Sequence, residues 1–297
     1  MKTFTKTLSV ATQKGVVASY IPELAKQNNT SFGIYVKQIN GSNNAVGDWN
    51  VPFLIQSISK VLALSKAIIF EDNSIWNRVD VEASGNPFNH LSLLEQENGI
   101  PRNPFINSGA IVIADILVTY LENPKEDFLN YVRAISGDQS INYNLDVAAS
   151  EQRTGFTNYA TANLLKSYNN LKNDVDIVLD FYFHQCALEL TCKQIANAFY
   201  LLYNRGVCIN KKQHLTLSQV KRINAIMLTC GFYDEAVEFA FEVGLPGKSG
   251  VGAGIVALLT NDFVIVTWAP GLNKKGNSLI GMQALEQFTT KTNRSIF

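Results

Sequence analysis

The sequence predicts an α+β protein: an antiparallel sheet assembled from both ends of the chain and flanked by terminal helices, with an all-helical subdomain inserted between them. Three observations predict it. Apolar residues alternate at period two near each end, a 3.6-residue apolar rhythm fills the middle, and no repeat, low-complexity tract or flexible linker divides the chain. An α+β layering is the economical way to bury such a pattern.

In order, Val16, Val17, Tyr20, Ile21 and Leu24 recur at helical spacing and predict an amphipathic helix over residues 12–27. Phe32, Ile34 and Val36 then alternate with Gly33, Tyr35 and Lys37, and the Asn40-Gly41 cluster turns the chain back toward residues 45–49, which predicts a β-hairpin. Helical rhythm follows over 110–121, 125–135, 157–168, 175–190, 193–203 and 217–228. Residues 239–243, 251–259 and 263–268 read as three strands, the last two joined at Asn261-Asp262. A closing helix over 278–290 places Leu279, Met282, Leu285 and Phe288 on one face. The sheet portion is expected at about 1–56 and 231–297 and the helical portion at about 57–230, forming one catalytic domain.

The 25 lysines and arginines balance the 25 aspartates and glutamates, with no block of like charge. Neither nucleic acid nor a membrane is therefore an expected partner. The longest apolar run, 110–118, is too short to span a bilayer, and no apolar stretch follows the first lysines as a secretory signal requires, so a cytoplasmic protein is expected. Cys186, Cys192, Cys208 and Cys230 fit neither a disulfide framework nor a metal-binding spacing. His90, His184 and His214 lie in no ligand pattern, so neither metal nor other cofactor is expected.

Chemistry concentrates in two short motifs. Ser57 and Lys60 stand three apart at the head of an apolar segment running through Val61, Leu62, Leu64 and Ile68. A desolvated lysine at that spacing can take the proton that makes a serine nucleophilic. The pair alone is weak, since a capping serine followed by a surface lysine has the same spelling. Far downstream, Gly247-Lys248-Ser249-Gly250-Val251 leads into a strand. A phosphate loop would need glycine where Glu242 sits and a helix afterwards. A Lys-Ser-Gly triplet on a strand instead resembles the element that faces the nucleophile in penicillin-recognising enzymes, where Ser57 and Val251 would each offer a backbone N–H to an oxyanion.

Over nearly its whole length the chain resembles the serine-dependent glutaminase family, whose members share the β-lactamase/penicillin-binding fold. The resemblance runs through residues 18–25, Gln56-Ser57-Ile58-Ser59-Lys60, residues 101–111, Ser150-Glu151 to Asn158, Asp180-Phe181-Tyr182-Phe183, Cys230-Gly231-Phe232-Tyr233-Asp234, and residues 239–251. It implies hydrolysis of L-glutamine to L-glutamate and ammonia through a glutamyl-serine intermediate, with a homodimer or homotetramer as the assembly. It also implies the residue roles. Ser57 is nucleophile, Lys60 its base, and Tyr233 a proton shuttle to departing ammonia. Glu151 meets the α-ammonium, while Asn107, Asn158, Tyr182 and Tyr20 meet the α-carboxylate. The chain departs from the family at Phe156-Thr157, where an acidic residue and an arginine are usual. The alternative enzyme on the same motifs is a penicillin-binding or β-lactamase-type acyl hydrolase.

Overall fold

The computed structural model describes residues 15–19, 24–84 and 91–297. From the N-terminal side come strands β1 (Gly33–Gln38) and β2 (Asn43–Gly47), the short β3 (Phe53–Leu54), then helices α1 (Ser59–Glu71), α2 (Leu91–Gln96), α3 (Asn107–Tyr120) and α4 (Pro124–Ser136). The middle continues with β4 (Asn142–Tyr143), α5 (Leu145–Thr154), α6 (Phe156–Ser167), α7 (Val175–Cys186), β5 (Leu188–Leu190), α8 (Cys192–Ala198), α9 (Tyr200–Tyr203) and α10 (Leu217–Cys230). The chain ends with α11 (Ala236–Glu242), β6 (Gly247–Ser249), β7 (Gly254–Leu259), β8 (Phe263–Trp268) and α12 (Leu279–Thr292).

The main sheet has the order β2-β1-β8-β7-β6, antiparallel throughout, so its two halves come from opposite ends of the chain and meet where β1 pairs β8. Strands β7 and β8 are buried almost along their whole length, which explains their near-continuous apolar character. Alternation still sorts their side chains. Ile34, Val36, Ile255, Ala257, Phe263 and Ile265 pack with Phe239 and Leu285 of α11 and α12, while Tyr35, Val256, Leu258, Val264 and Val266 join the large core shared with the helical block. Lys248 shares the cross-strand row of Val256, Val266 and Tyr35, and so points toward the helices.

Within that block α3 is the central element, with Gly109 to Leu117 buried, packed against α1, α6 and α7. Gly109 is required where α3 begins: a Cβ there would stand 1.9 Å from the Asn103 carbonyl oxygen, so the chain before the helix can fold back tightly onto its first turn. Lower on α3, the fully buried Asp115 accepts from the Arg78 guanidinium, from the backbone N–H of Lys172 (3.0 Å) and Asn173 (2.8 Å), and from Asn173 Nδ2 (2.9 Å).

The α+β architecture expected from the sequence is the one observed, with four local corrections. Residues 239–243 are helical, lying mostly within α11. Ala236, Phe239 and Val243 are buried while Val237 and Phe241 are 80% and 89% exposed, a helical spacing whose Phe-Ala-Phe-Glu-Val spelling also alternates at period two. The helix expected over 12–27 is absent from 15–19, where Val16 exchanges backbone hydrogen bonds with Leu272 at 2.9 Å in both directions, and residues 24–26 form one 3₁₀ turn. Val251 to Ala253 form a turn ahead of β7. The predicted 175–190 and 193–203 helices each break, the first into α7 and β5 and the second into α8 and α9. The inserted block is thus not purely helical: β4 and β5 join β3 in a second, three-stranded sheet. No described helix is long and apolar enough to cross a membrane.

Candidate active site

Ser57 occupies a single 3₁₀ turn, Gln56–Ile58, immediately before α1, so the predicted helix begins two residues after it. From Phe53 to Lys60 every residue except Ser57 is buried. Gln56 holds φ at +47°, a left-handed conformation that non-glycine residues seldom adopt. Sparsely populated backbone of this kind is sustained only where its surroundings over-determine it, and it clusters at functional sites. Here it re-aims the chain so that the serine emerges from an otherwise buried segment, where its hydroxyl lies near the phenol of Tyr233 and favours the ionised form of that phenol, against the larger effect of burial.

Beneath it, at the second residue of α1, Lys60 is 1% exposed. Its amine donates to the Phe105 carbonyl (3.1 Å) and to Asn107 Oδ1 (2.8 Å). Burial lowers its pKa to about 8, against the opposing influence of Cys186 and Glu151. Burial also pushes the Cys186 thiol up to about 12, which leaves it uncharged near neutral pH. Glu151 is therefore the anion that sustains the ammonium form.

Asn107, at the first position of α3, joins the lysine to the rest of the wall. Its Oδ1 accepts from Lys60 and from the Tyr182 hydroxyl (3.3 Å), and its Nδ2 donates to Asn158 Oδ1 (3.0 Å). Glu151 on α5 accepts from Gln56 Nε2 at 2.8 Å, which ties it to the residue before Ser57. Tyr182, buried on α7, keeps its proton: burial raises its pKa well above the ordinary value, reinforced by Cys186 and Glu151. Half-exposed Ser57, Asn107, Glu151 and Asn158 thus lie over buried Lys60, Tyr182 and Tyr233.

The opposite side comes from the sheet. Lys248, fully buried on β6, donates to the Ser249 carbonyl (2.6 Å) and holds its Nζ 4.2 Å from the centre of the Tyr233 ring. Burial, and then proximity to Lys60, lowers its pKa well below that of a free lysine. Gly250 to Gly254 form a tight turn, closed by Gly250 N–H to the Gly254 carbonyl (3.0 Å) and Ala253 N–H to the Gly250 carbonyl (2.8 Å). Ala253 is left-handed at +68°. A Cβ on Gly250 would stand 3.3 Å from the Ser57 nitrogen, and one on Gly252 1.8 Å from the Leu54 carbonyl oxygen, so only glycine lets this turn lie against the serine's backbone. Val251 lies in that turn, 8% exposed. Tyr233 is itself left-handed, at +56°.

Other side chains of this wall carry no role in the sequence motifs. Gln56, quoted only as part of a motif, is the hydrogen-bond partner of Glu151. Cys186 lies near the hydroxyls of Tyr182 and Ser59, which hold its thiol pKa down against burial; its place one helical turn after Tyr182 was the available signal. Lys248 enters the Lys-Ser-Gly motif through its backbone, whereas its side chain lies over Tyr233. Tyr20 falls outside the described residues. Phe156, at the departure from the family pattern, is 78% exposed at the start of α6, two residues before Asn158. The described residues contain no group of three metal-ligating side chains.

The glutaminase family model matches residues 15–297. A glutaminase of Christiangramia forsetii is 52% identical over 284 residues, covering 95% of this chain and 93% of that protein. One from Saccharophagus degradans is 52% identical over 291 residues, covering 98% and 95%. Among solved structures, a probable glutaminase from Bacillus subtilis complexed with 6-diazo-5-oxo-L-norleucine superposes with a TM-score of 0.89 at 33% identity, covering 99% of this chain and 94% of that one.

Proposed function

This chain belongs to the glutaminase family, the amidohydrolases that convert glutamine to glutamate and ammonia, and we propose that it works through a glutamyl ester on Ser57. The observation that supports this most directly is Lys60: an amine buried beside the only half-exposed residue of its segment, lowered to about 8, and hydrogen-bonded to the Asn107 that also touches Tyr182 and Asn158. Serine and base stand in a wall that also carries a carboxylate and amide groups.

In this reading the α-ammonium of glutamine meets Glu151, and its α-carboxylate meets Asn107, Asn158 and Tyr182, with Tyr20 as a further candidate. Ser57 Oγ attacks the side-chain amide carbon while Lys60 takes the hydroxyl proton. The N–H groups of Ser57 and Val251 stabilise the resulting oxyanion. As the C–N bond breaks, Tyr233 gives its proton to the departing nitrogen and recovers one from the Lys60 ammonium, so ammonia leaves and Lys60 is neutral again. Water then attacks the ester, losing its proton to Lys60, which returns it to Ser57 as glutamate forms. A ligand such as 6-diazo-5-oxo-L-norleucine, which sets a ketone carbon where glutamine has its amide carbon, suits this arrangement. The sheet portion (about 1–56 and 231–297) and the helical portion (about 57–230) would act as one catalytic unit in a cytoplasmic homodimer or homotetramer, an assembly that light scattering on the purified protein tests.

The deciding assay is ammonia release from L-glutamine and L-asparagine by the wild type and by Ser57→Ala. The variant is expected to lose at least about three orders of magnitude in kcat. Retention of the wild-type rate by the alanine variant would refute the nucleophile.

A further inference from the structure

The residues that hold Tyr233 point to a device outside the site just described. Glu235 lies two residues beyond Tyr233 and is 7% exposed, a buried carboxylate with no part in the chemistry above. Its two oxygens accept from Asn273 Nδ2 at 2.9 and 3.0 Å, and Oε2 also accepts from Asn277 Nδ2. Both asparagines sit in the connection between β8 and α12, and Asn273 Oδ1 in turn accepts the backbone N–H of Lys275 (2.9 Å) and Asn277 (3.0 Å). The connection is therefore folded around the two amides that grip Glu235.

That same connection borders another part of the site: Gly276 lies beside Val251, where a Cβ would stand 3.9 Å from Val251 Cγ1. Meanwhile Tyr233 has a left-handed backbone at +56°, which a bulky residue keeps only if its surroundings hold it there. Lys248 contacts its ring from the sheet side, but nothing in that contact fixes the backbone.

We propose that Glu235, gripped by Asn273 and Asn277, is a positioning residue that holds the Tyr233 phenol in line with Ser57 for proton delivery to the leaving group. The inference rests on the proposed role of Tyr233. A carboxylate suits the task because both of its oxygens only accept, matching two amide donors without a competing donor. A glutamine at 235 would turn an N–H₂ toward one of those amides and weaken the grip while keeping the shape. Adding Asn273→Asp to Glu235→Gln restores the match with the roles exchanged, since the new amide would donate to the new carboxylate and still accept from Asn277.

The test compares two substrates on Tyr233→Phe, Glu235→Gln and the exchange variant Glu235→Gln with Asn273→Asp. Glutamine needs a proton on its leaving nitrogen, whereas a γ-glutamyl p-nitrophenyl ester expels an anion that needs none. Glu235→Gln is expected to lower kcat for glutamine about tenfold, with KM for glutamine and turnover of the ester nearly unchanged. The exchange variant is expected to recover most of the loss, and it serves alone if the single variant fails to fold. Equal losses on both substrates, or a lowered melting temperature with both turnovers intact, would make Glu235 a stability residue and overturn the proposal. Tyr233→Phe separates the two ideas. If it turns over glutamine normally, the shuttle role falls and this inference with it; if it shows the amide-selective loss and Glu235→Gln does not, only the positioning role falls.

Discussion

Consider the dependence of the reaction on pH when Glu151 is neutralised. In the free protein Lys60 titrates at about 8, so the neutral, proton-accepting amine is roughly 1% of the population at pH 6, 10% at pH 7 and 50% at pH 8. The acid limb of kcat/KM should therefore climb about fifty-fold between pH 6 and pH 8, because that ratio reports the free enzyme. The limb of kcat should lie at lower pH: bound substrate places an ammonium against Glu151 and cancels the anion that sustains Lys60 as a cation. Glu151→Gln removes the same anion permanently. Its kcat/KM limb should move to lower pH than that of the wild type, while KM rises about tenfold to a hundredfold for the lost charge-assisted bond to the α-ammonium. Initial rates of ammonia release from pH 5.5 to pH 9.5 measure both. A limb that stays near 8 in the variant, or a wild-type kcat/KM flat through that region, would mean that Lys60 is not the group accepting the proton.

Other perturbations are equally direct. Asn107→Asp sets a carboxylate where Oδ1 now accepts from Lys60 at 2.8 Å, so the same limb should move to higher pH, opposite to Glu151→Gln; kcat/KM titration of that variant checks the sign. Lys248→Met removes the amine 4.2 Å from the Tyr233 ring centre and should lower kcat about threefold to thirtyfold by loosening that ring, with KM little changed in a steady-state assay. Asp115→Asn takes the charge from a fully buried carboxylate paired with Arg78 and should cost about 2 to 4 kcal/mol in urea unfolding, with activity per folded molecule intact. Product glutamate presents a carboxylate where glutamine presents a neutral amide, so it should inhibit more strongly at pH 7, where Lys60 is mostly charged, than at pH 8.5; inhibition constants at the two pH values decide it.

The sheet was legible because β1, β7 and β8 are apolar runs bounded by turn residues. Residues 239–243 were not, since a buried helix face at 236, 239 and 243 and a strand face at 239, 241 and 243 share two of three positions; the exposure of Phe241 decides between them and no residue announces it. The N-terminal segment failed for another reason: Val16 is held by a tertiary pairing with Leu272, which overrides helical periodicity. At the site, residue identities were readable only through the ordered motifs, and their joining through Asn107 was not. The left-handed backbones of Gln56, Tyr233 and Ala253 were invisible as well, because none is the glycine that would advertise such a conformation.

The charges around the cleft bear on how it would release its product. Two buried amines, Lys60 and Lys248, and the half-exposed carboxylate Glu151 are the charges of the site, and burial favours the neutral form of both amines. The Lys60 cation also disfavours a second charge at Lys248. Glutamine brings balanced charge at its amino-acid end and none at its amide, which matches a site that holds a carboxylate and a neutral base. Hydrolysis replaces that amide with an anion. Above about pH 8 the anion finds Lys60 neutral and no counter-charge, so the same desolvation that makes the lysine a base also weakens the hold on the product.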